Sequence, residues 1–261
     1  MTGLDPDMGA LVSRAMRRHG VDVRCGTTMT GVGEGVVHTD TGDVPADIVV
    51  LGLGVDPNAQ LAADAGLRIG ARGAIGVDRR QQTSVDGIWS AGDCCESYHL
   101  VSDTHVHIPL GTIANKQARV AGANIGGGYA TFPGVVGTAV SKICDTEVAR
   151  SGLTEADAAS AGFQYLTVTI ESTTRAGYYP GSAPITVKML AERRSGRLLG
   201  AQLVGQEGAA KRIDVVAVAL HTRMTVEQMT HLDLSYAPPF GPVWDPVLIA
   251  ARKLASIVAE E

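Results

Sequence analysis

The sequence predicts an α/β fold with an antiparallel α+β unit appended to it. Three observations carry that expectation. Glycine fills 32 of 261 positions while aromatic residues make up only 4%; a glycine-rich, aromatic-poor chain suits folds whose backbone closes on a ligand. Residues 47–52, Asp-Ile-Val-Val-Leu-Gly, are a near-continuous apolar run of strand length, the pattern of a buried strand in a parallel sheet. Beyond about residue 130 the pattern changes. Leu166, Val168 and Ile170, then Ile185, Val187 and Met189, alternate with polar neighbours, as strands with one buried face do.

Composition narrows the function. Hydrophobic residues at 45% and charged residues at 19% exclude a disordered chain. A net charge of −5, with Arg17-Arg18, Arg79-Arg80 and Arg193-Arg194 as isolated pairs, argues against nucleic acid and membrane surfaces as partners. No apolar stretch reaches the roughly 18 residues of a membrane span. The opening Met1-Thr2-Gly3-Leu4-Asp5 lacks the basic and apolar regions of a signal peptide. Cys25, Cys94, Cys95 and Cys144 form no C-x-x-C pair. The expectation is a cytoplasmic chain with reduced thiols.

The elements follow in order. Asp5 as N-cap, Pro6 at N1 and apolar Met8, Leu11, Val12, Ala15 and Met16 predict a helix that Gly20 stops. Val21 to Cys25 reads as a short strand, and Val36–Thr39 with the turn Asp40-Thr41-Gly42-Asp43 as a hairpin. The strand at 47–52 runs into a Gly/Pro segment, Gly52 to Asn58. A short helix at 59–66, a strand at 73–78, and a turn and strand through 83–93 come next. A helix from about Thr112 to Ile125 ends at Gly126-Gly127-Gly128, which marks a boundary. A third antiparallel strand covers Leu198 to Gly205, followed by an apolar helix at about 208–223. Thr154-x-x-Asp157 and Thr225-x-x-Gln228 have the spacing of capping boxes.

Thr83 to Asp93 reads T-S-V-D-G-I-W-S-A-G-D. It resembles the second FAD fingerprint of flavoproteins with two dinucleotide-binding domains, the pyridine nucleotide–disulfide oxidoreductases. The resemblance implies a partial two-dinucleotide-binding-domain (FAD/NAD(P)) fold plus an α+β dimerisation domain. It divides the chain into residues 1–57, the C-terminal half of an NAD(P)-binding domain, 58–130, the C-terminal segment of an FAD-binding domain, and 131–261, the dimerisation domain. It implies that Ile88 and Trp89 lie on a central strand and that Ala91 and Gly92 admit the cofactor. Thr83 and Ile88 are also among the residues it places at the FAD, and Asp93 would accept a ribityl hydroxyl. The Gly54-Val55-Asp56-Pro57-Asn58 turn matches the return to the FAD domain, which places Gly54 near the nicotinamide. Pro109-Leu110-Gly111 and the following helix match the segment beneath the flavin. Leu110, Gly111, Thr112 and Ala114 would face its edge, where a helix N-terminus favours anionic charge.

Ala176-Gly177-Tyr178-Tyr179-Pro180-Gly181, Asp233 to Phe240 and Trp244-Asp245-Pro246 resemble the dimerisation domain of the coenzyme A-disulfide reductase and NADH oxidase/peroxidase subgroup. The segment Tyr236 to Phe240 argues against a ferredoxin-reductase-like flavoprotein. The resemblance implies a homodimer in which Tyr178 and Tyr236 serve the partner's catalytic site. It places Asn115 and Trp244 where coenzyme A is contacted. Cys94, Cys95, His99, His105 and His107 cluster, but C-C-x₃-H-x₅-H-x-H matches no familiar zinc pattern, so no metal is expected.

The implied activity is reduction of a small disulfide, coenzyme A disulfide first, by NAD(P)H through FAD. A peroxide or oxygen reductase and a non-catalytic dimerisation module are the alternatives. The sequence holds no G-x-G-x-x-G between strand and helix; Gly31-x-Gly33-x-Gly35 and Gly52-x-Gly54 fail the spacing. None of the four cysteines sits in the family's redox motif. A truncated, split or degraded gene is the simplest expectation, and a separately made N-terminal fragment as partner is the second.

Overall fold

The computed structural model describes residues 3–261. Helix α1 (Pro6–Arg18) forms as expected, with Pro6 in its first turn and Met8, Val12 and Ala15 buried. Gly20 follows it at φ +80°, the left-handed conformation that ends helices. Asp5 stands at the N-cap, but its side chain makes no capping bond. The carboxylate instead accepts from Gln202 Nε2 at 2.6 Å and from the Glu155 backbone N–H at 3.0 Å.

Strands β1 (Met29–Gly33), β2 (Val36–Thr39) and β3 (Val44–Pro45) form a three-stranded antiparallel meander. The hairpin at 36–45 forms as read. Val21–Cys25 is not a strand, and neither is 47–52. Ile48 is 84% and Val50 87% exposed, the reverse of the buried strand expected. A parallel strand keeps its backbone bonds only between neighbours, and among the described residues none pairs with this run.

Next come α2 (Gln60–Asp64) and a 3₁₀ turn at Ala71–Gly73. The strand expected at 73–78 is reduced to bridges of Ile75 with Ile69 and Cys95, and the one at 88–89 to a bridge between Gln82 and Trp89. Strands β4 (Ser97–His99) and β5 (Thr104–Val106) pair antiparallel, and α3 (Gly111–Ile125) follows.

The second half holds the main core. Strands β6 (Ala139–Ile143), β7 (Thr146–Gly152), β8 (Tyr165–Thr173), β9 (Pro184–Glu192) and β10 (Leu198–Gly205) form one antiparallel sheet in the order β6-β7-β10-β9-β8. Helix α4 (Glu155–Ser160) and helix α6 (Val226–Met229) each begin with the predicted capping box, complete in both directions. The apolar helix read at 208–223 is a 3₁₀ turn, Ala210–Arg212, continuing into α5 (Ile213–His221). Helix α7 (Pro246–Ala259) closes the chain.

Alternation along the strands assigns the two sheet faces. Ala149, Val187, Met189 and Leu203 share one buried cluster with Val216 and Leu220 of α5 and Leu254 of α7. Val148 and Val204, cross-strand partners on the other face, pack with Met8 and Val12 of α1. On that face Lys188, 5% exposed, meets Glu155 at 2.6 Å, Asp7 at 2.8 Å and Asp5 at 3.2 Å. Helix α1 is thus fixed to the sheet by an apolar stripe and an ion cluster centred on buried Lys188 and Asp5. Among the described residues no helix is long and apolar enough to cross a membrane.

Candidate functional site

The eleven-residue segment 83–93 forms a closed turn followed by an open one. Thr83 is buried and structural. Its N–H donates to Ile88 O at 3.0 Å, and its hydroxyl donates to Ile88 O at 3.0 Å and to Val85 O at 3.2 Å. Ile88 is partly exposed, and Ser90 N–H donates back to Gln81 O at 3.1 Å. Ala91 leads into Gly92, whose φ of +88° strains any side-chain-bearing residue. Asp93 does not end a strand, because the strand is absent; it sits in a turn, exposed. Its carboxylate has no hydrogen bond or ion pair among the described residues, and its carbonyl accepts the His107 Nε2–H at 2.7 Å.

Helix α3 starts against this turn. Its N-cap, Leu110, supplies no side-chain cap, and Gly111 and Thr112 are exposed. The first free N–H groups of a 15-residue helix therefore face outward with the positive end of its dipole. A Cβ built on Gly92 would meet the Ala114 Cβ at 3.6 Å, so turn and helix are in contact distance. Asn115 is exposed and donates to Gly111 O at 2.7 Å.

Gln117 locks the two elements together, and sequence reading missed it. Fully buried, it accepts the Gly92 N–H at 3.0 Å through Oε1 and donates to Ser97 Oγ at 2.9 Å through Nε2. The signal was present: Ile113, Gln117, Ala121 and Asn124 form the buried stripe of α3, and an amide on such a stripe must find partners. Glu96, also buried, accepts from Arg68 Nη2 at 2.8 Å and from the Ala71 N–H at 3.0 Å.

The Cys/His cluster disperses. Cys95 Sγ lies 3.3 Å from Gly92 O and from Gln117 Oε1. Burial, then the neighbouring Cys94, pushes its thiol up to about 12. His99 is buried and accepts the Ser102 N–H at 3.3 Å; burial, then Arg150, lowers its pKa to about 4. His105 packs edge-on to Tyr98, with ring centroids 5.5 Å apart. Among the described residues no three His, Cys, Asp or Glu side chains converge to hold a metal.

The other expected site residues lie elsewhere. Gly54, at φ +89°, is exposed on the irregular segment after residue 46. Tyr178 and Tyr236 are brought together. The neighbouring Tyr236 phenol, then desolvation, raises the Tyr178 phenol above its ordinary pKa, and both rings are substantially exposed. Trp244 stacks under the Arg252 guanidinium, 4.1 Å from ring centroid to Cζ, beside an open groove of about 730 Å³ with Lys253 and His231 on its wall.

The family model for pyridine nucleotide-disulphide oxidoreductases matches residues 1–118, and that for their dimerisation domain matches 138–246. A Pyrococcus horikoshii NAD(P)H coenzyme A polysulfide/persulfide reductase is 43% identical over 218 residues, covering 84% of this chain and 49% of that protein. A Staphylococcus epidermidis coenzyme A disulfide reductase is 28% identical over 240 residues, 91% of this chain and 54% of its own. The crystal structure of reduced Bacillus anthracis CoADR-RHD superposes with a TM-score of 0.95 at 35% identity, covering 100% of this chain and 47% of that one. The chain spans about half the length of the curated relatives it matches. It belongs to the pyridine nucleotide-disulphide oxidoreductase family, as the C-terminal half of a member of the coenzyme A disulfide reductase, NADH oxidase and persulfide reductase subgroup.

Proposed function

We propose that this chain is the C-terminal half of an FAD-dependent NAD(P)H oxidoreductase that reduces a small sulfur compound carried on coenzyme A, a disulfide or a persulfide. The observation that carries the reading is the meeting of the Gly92–Asp93 turn with the uncapped start of α3. A free carboxylate and outward N–H groups on adjoining elements suit the polyol and the electron-rich ring edge of a flavin. The residues present therefore fit the distal part of an FAD site. Bound there, FAD supplies hydride acceptance from NAD(P)H and electron delivery to a thiol centre.

Each residue has a role in this reading. Asp93 accepts a ribityl hydroxyl, and Gly92, Ala91 and Ala114 leave room for the cofactor. Leu110, Gly111 and Thr112 present the helix dipole to the ring. Gln117 holds the turn on the helix, and Thr83 shapes the loop that leads to it. Gly54 lies toward the nicotinamide. Tyr178 and Tyr236 donate a proton to the sulfur leaving group in the partner subunit of a homodimer. Asn115 and Trp244 contact the coenzyme A portion. Free cysteines suit a reducing, cytoplasmic setting.

A second reading is a non-catalytic dimerisation module, favoured by the exposed apolar run at 48–53. One experiment separates the two. The chain is assembled with the N-terminal half of the Pyrococcus reductase, and NAD(P)H consumption is followed with coenzyme A disulfide, a coenzyme A persulfide, peroxide or oxygen. Sulfur-dependent consumption supports the first reading. Consumption with oxygen or peroxide alone overturns the acceptor, and a stable assembly without flavin supports the module.

A further inference from the structure

Tyr178 and Tyr236 lie on different loops, at 174–183 and 233–245, and both rings stand open to solvent. Two exposed phenols on separate loops lose conformational freedom when held side by side. Something firmer than their own contact must hold the loops.

One side chain spans both. Arg212 stands where the 3₁₀ turn enters α5, and its side chain is only 11% exposed. Its Nη2 donates to Thr174 O at 2.7 Å on the Tyr178 loop and to Phe240 O at 3.0 Å on the Tyr236 loop. Its Nε donates to Asp245 Oδ2 at 2.9 Å, where the second loop ends, and its Nη1 to Gly208 O. Asp245 is itself fixed, since its other oxygen caps α7 by accepting the Val247 N–H at 2.9 Å. Among the described residues the loops are also tied directly by the Ala176 N–H donating to Pro238 O at 3.2 Å.

We propose that Arg212 is the positioning residue of the tyrosine pair, clamping both loops to α5 and α7 so that the two phenols are held as neighbours. The proposal rests on the functional reading for what the pair does, and not for how it is held. A guanidinium suits the task because its planar fork serves several acceptors at fixed angles; a lysine ammonium is a point donor. Tyr236 is the titratable group acting on Tyr178, so the pair's contact can be read as a phenol that ionises late.

The test follows tyrosinate absorbance with pH in the isolated chain, without flavin or substrate. The Tyr98 and Tyr165 phenols are raised as well, so the late phase that is followed is the Tyr178 component, taken as the difference between each chain and the same chain carrying Tyr178→Phe. In wild type that component ionises late, and Tyr236→Phe returns it to the ordinary range. Arg212→Met is expected to abolish the late phase while circular dichroism and the urea midpoint show an intact sheet. Arg212→Lys is expected not to restore it. A folded Arg212→Met chain that keeps the late phase overturns the proposal. If Arg212→Met does not fold, Asp245→Asn replaces it; that variant removes the Nε ion pair, and an unchanged late phase again overturns the proposal. Loss of the late phase together with failure of the sulfur-reduction assay would leave the positioning role standing and remove the functional reading alone.

Discussion

The Gln117 side-chain oxygen accepts the Gly92 N–H at 3.0 Å, joining the second turn of one helix to the turn that presents Asp93. The same amide reaches Ser97 on β4 and the Glu96 carbonyl. A single buried side chain thereby sets the spacing between the free carboxylate and the helix N-terminus, the two features on which the flavin reading depends.

Replacing Gln117 with leucine keeps much of the volume and orphans the Gly92 N–H and the Ser97 hydroxyl. An unsatisfied buried polar group costs roughly 1–3 kcal/mol, so the variant is expected to lose about 2–3 kcal/mol in urea denaturation. Wild-type stability in Gln117→Leu would mean that the amide is not what fixes the turn.

Lys188 makes a second prediction. Burial opposes its charge, but hydrogen bonds to Asp7, Glu155 and Asp5 outweigh that and raise its pKa. Lys188→Met leaves buried Asp5 without a cation, a change that typically costs about 3–5 kcal/mol. Because the folded-state pKa is raised, the wild-type contribution is full below the ordinary lysine range and fades as pH climbs through the folded value. Alkaline titration of stability in wild type and variant should therefore converge at high pH.

His99 titrates in the opposite sense. Its folded pKa of about 4 lies below the unfolded value near 6.5. Between these the unfolded chain binds the extra proton, so stability drops as pH falls from about 6.5 toward 4, by at most about 1.4 kcal/mol per pH unit for one proton. His99→Gln should flatten this limb of the stability–pH curve; an unchanged slope would exclude His99 as its source.

Thiol labelling gives a fourth check. Cys25 and Cys144 are exposed, while Cys95 is buried with a thiol pushed up to about 12. Alkylation at neutral pH should modify Cys25 and Cys144 fastest and spare Cys95 until urea unfolds the chain. Early modification of Cys95 would show that the turn at 90–97 opens readily.

The second half of the fold was more legible than the first, for a physical reason. Alternation in β8 and β9 and the two capping boxes depend on residues whose partners are within the chain. The run at 47–52 reads as a strand because its side chains suit one, yet a strand is a pairing, and among the described residues nothing pairs with it. Asp5 shows the limit of local signals: it occupies the N-cap, but Gln202, 197 positions away, claims its carboxylate. The motif singled out Gly92 and Asp93 but placed them at the end of a strand, where the structure has a turn. Gln117 carried a signal, as an amide on the buried stripe of α3, but its partners and those of Arg212 were not legible, because they are groups that converge only in three dimensions.

The most direct test of the flavin site is the affinity for FAD of the chain assembled with the N-terminal half of the Pyrococcus reductase, with and without Asp93→Ala. The account predicts a yellow wild-type complex and an assembled variant that binds FAD about tenfold more weakly, a loss of about 1.4 kcal/mol. An assembled Asp93→Ala complex that retains FAD as tightly as wild type would contradict it.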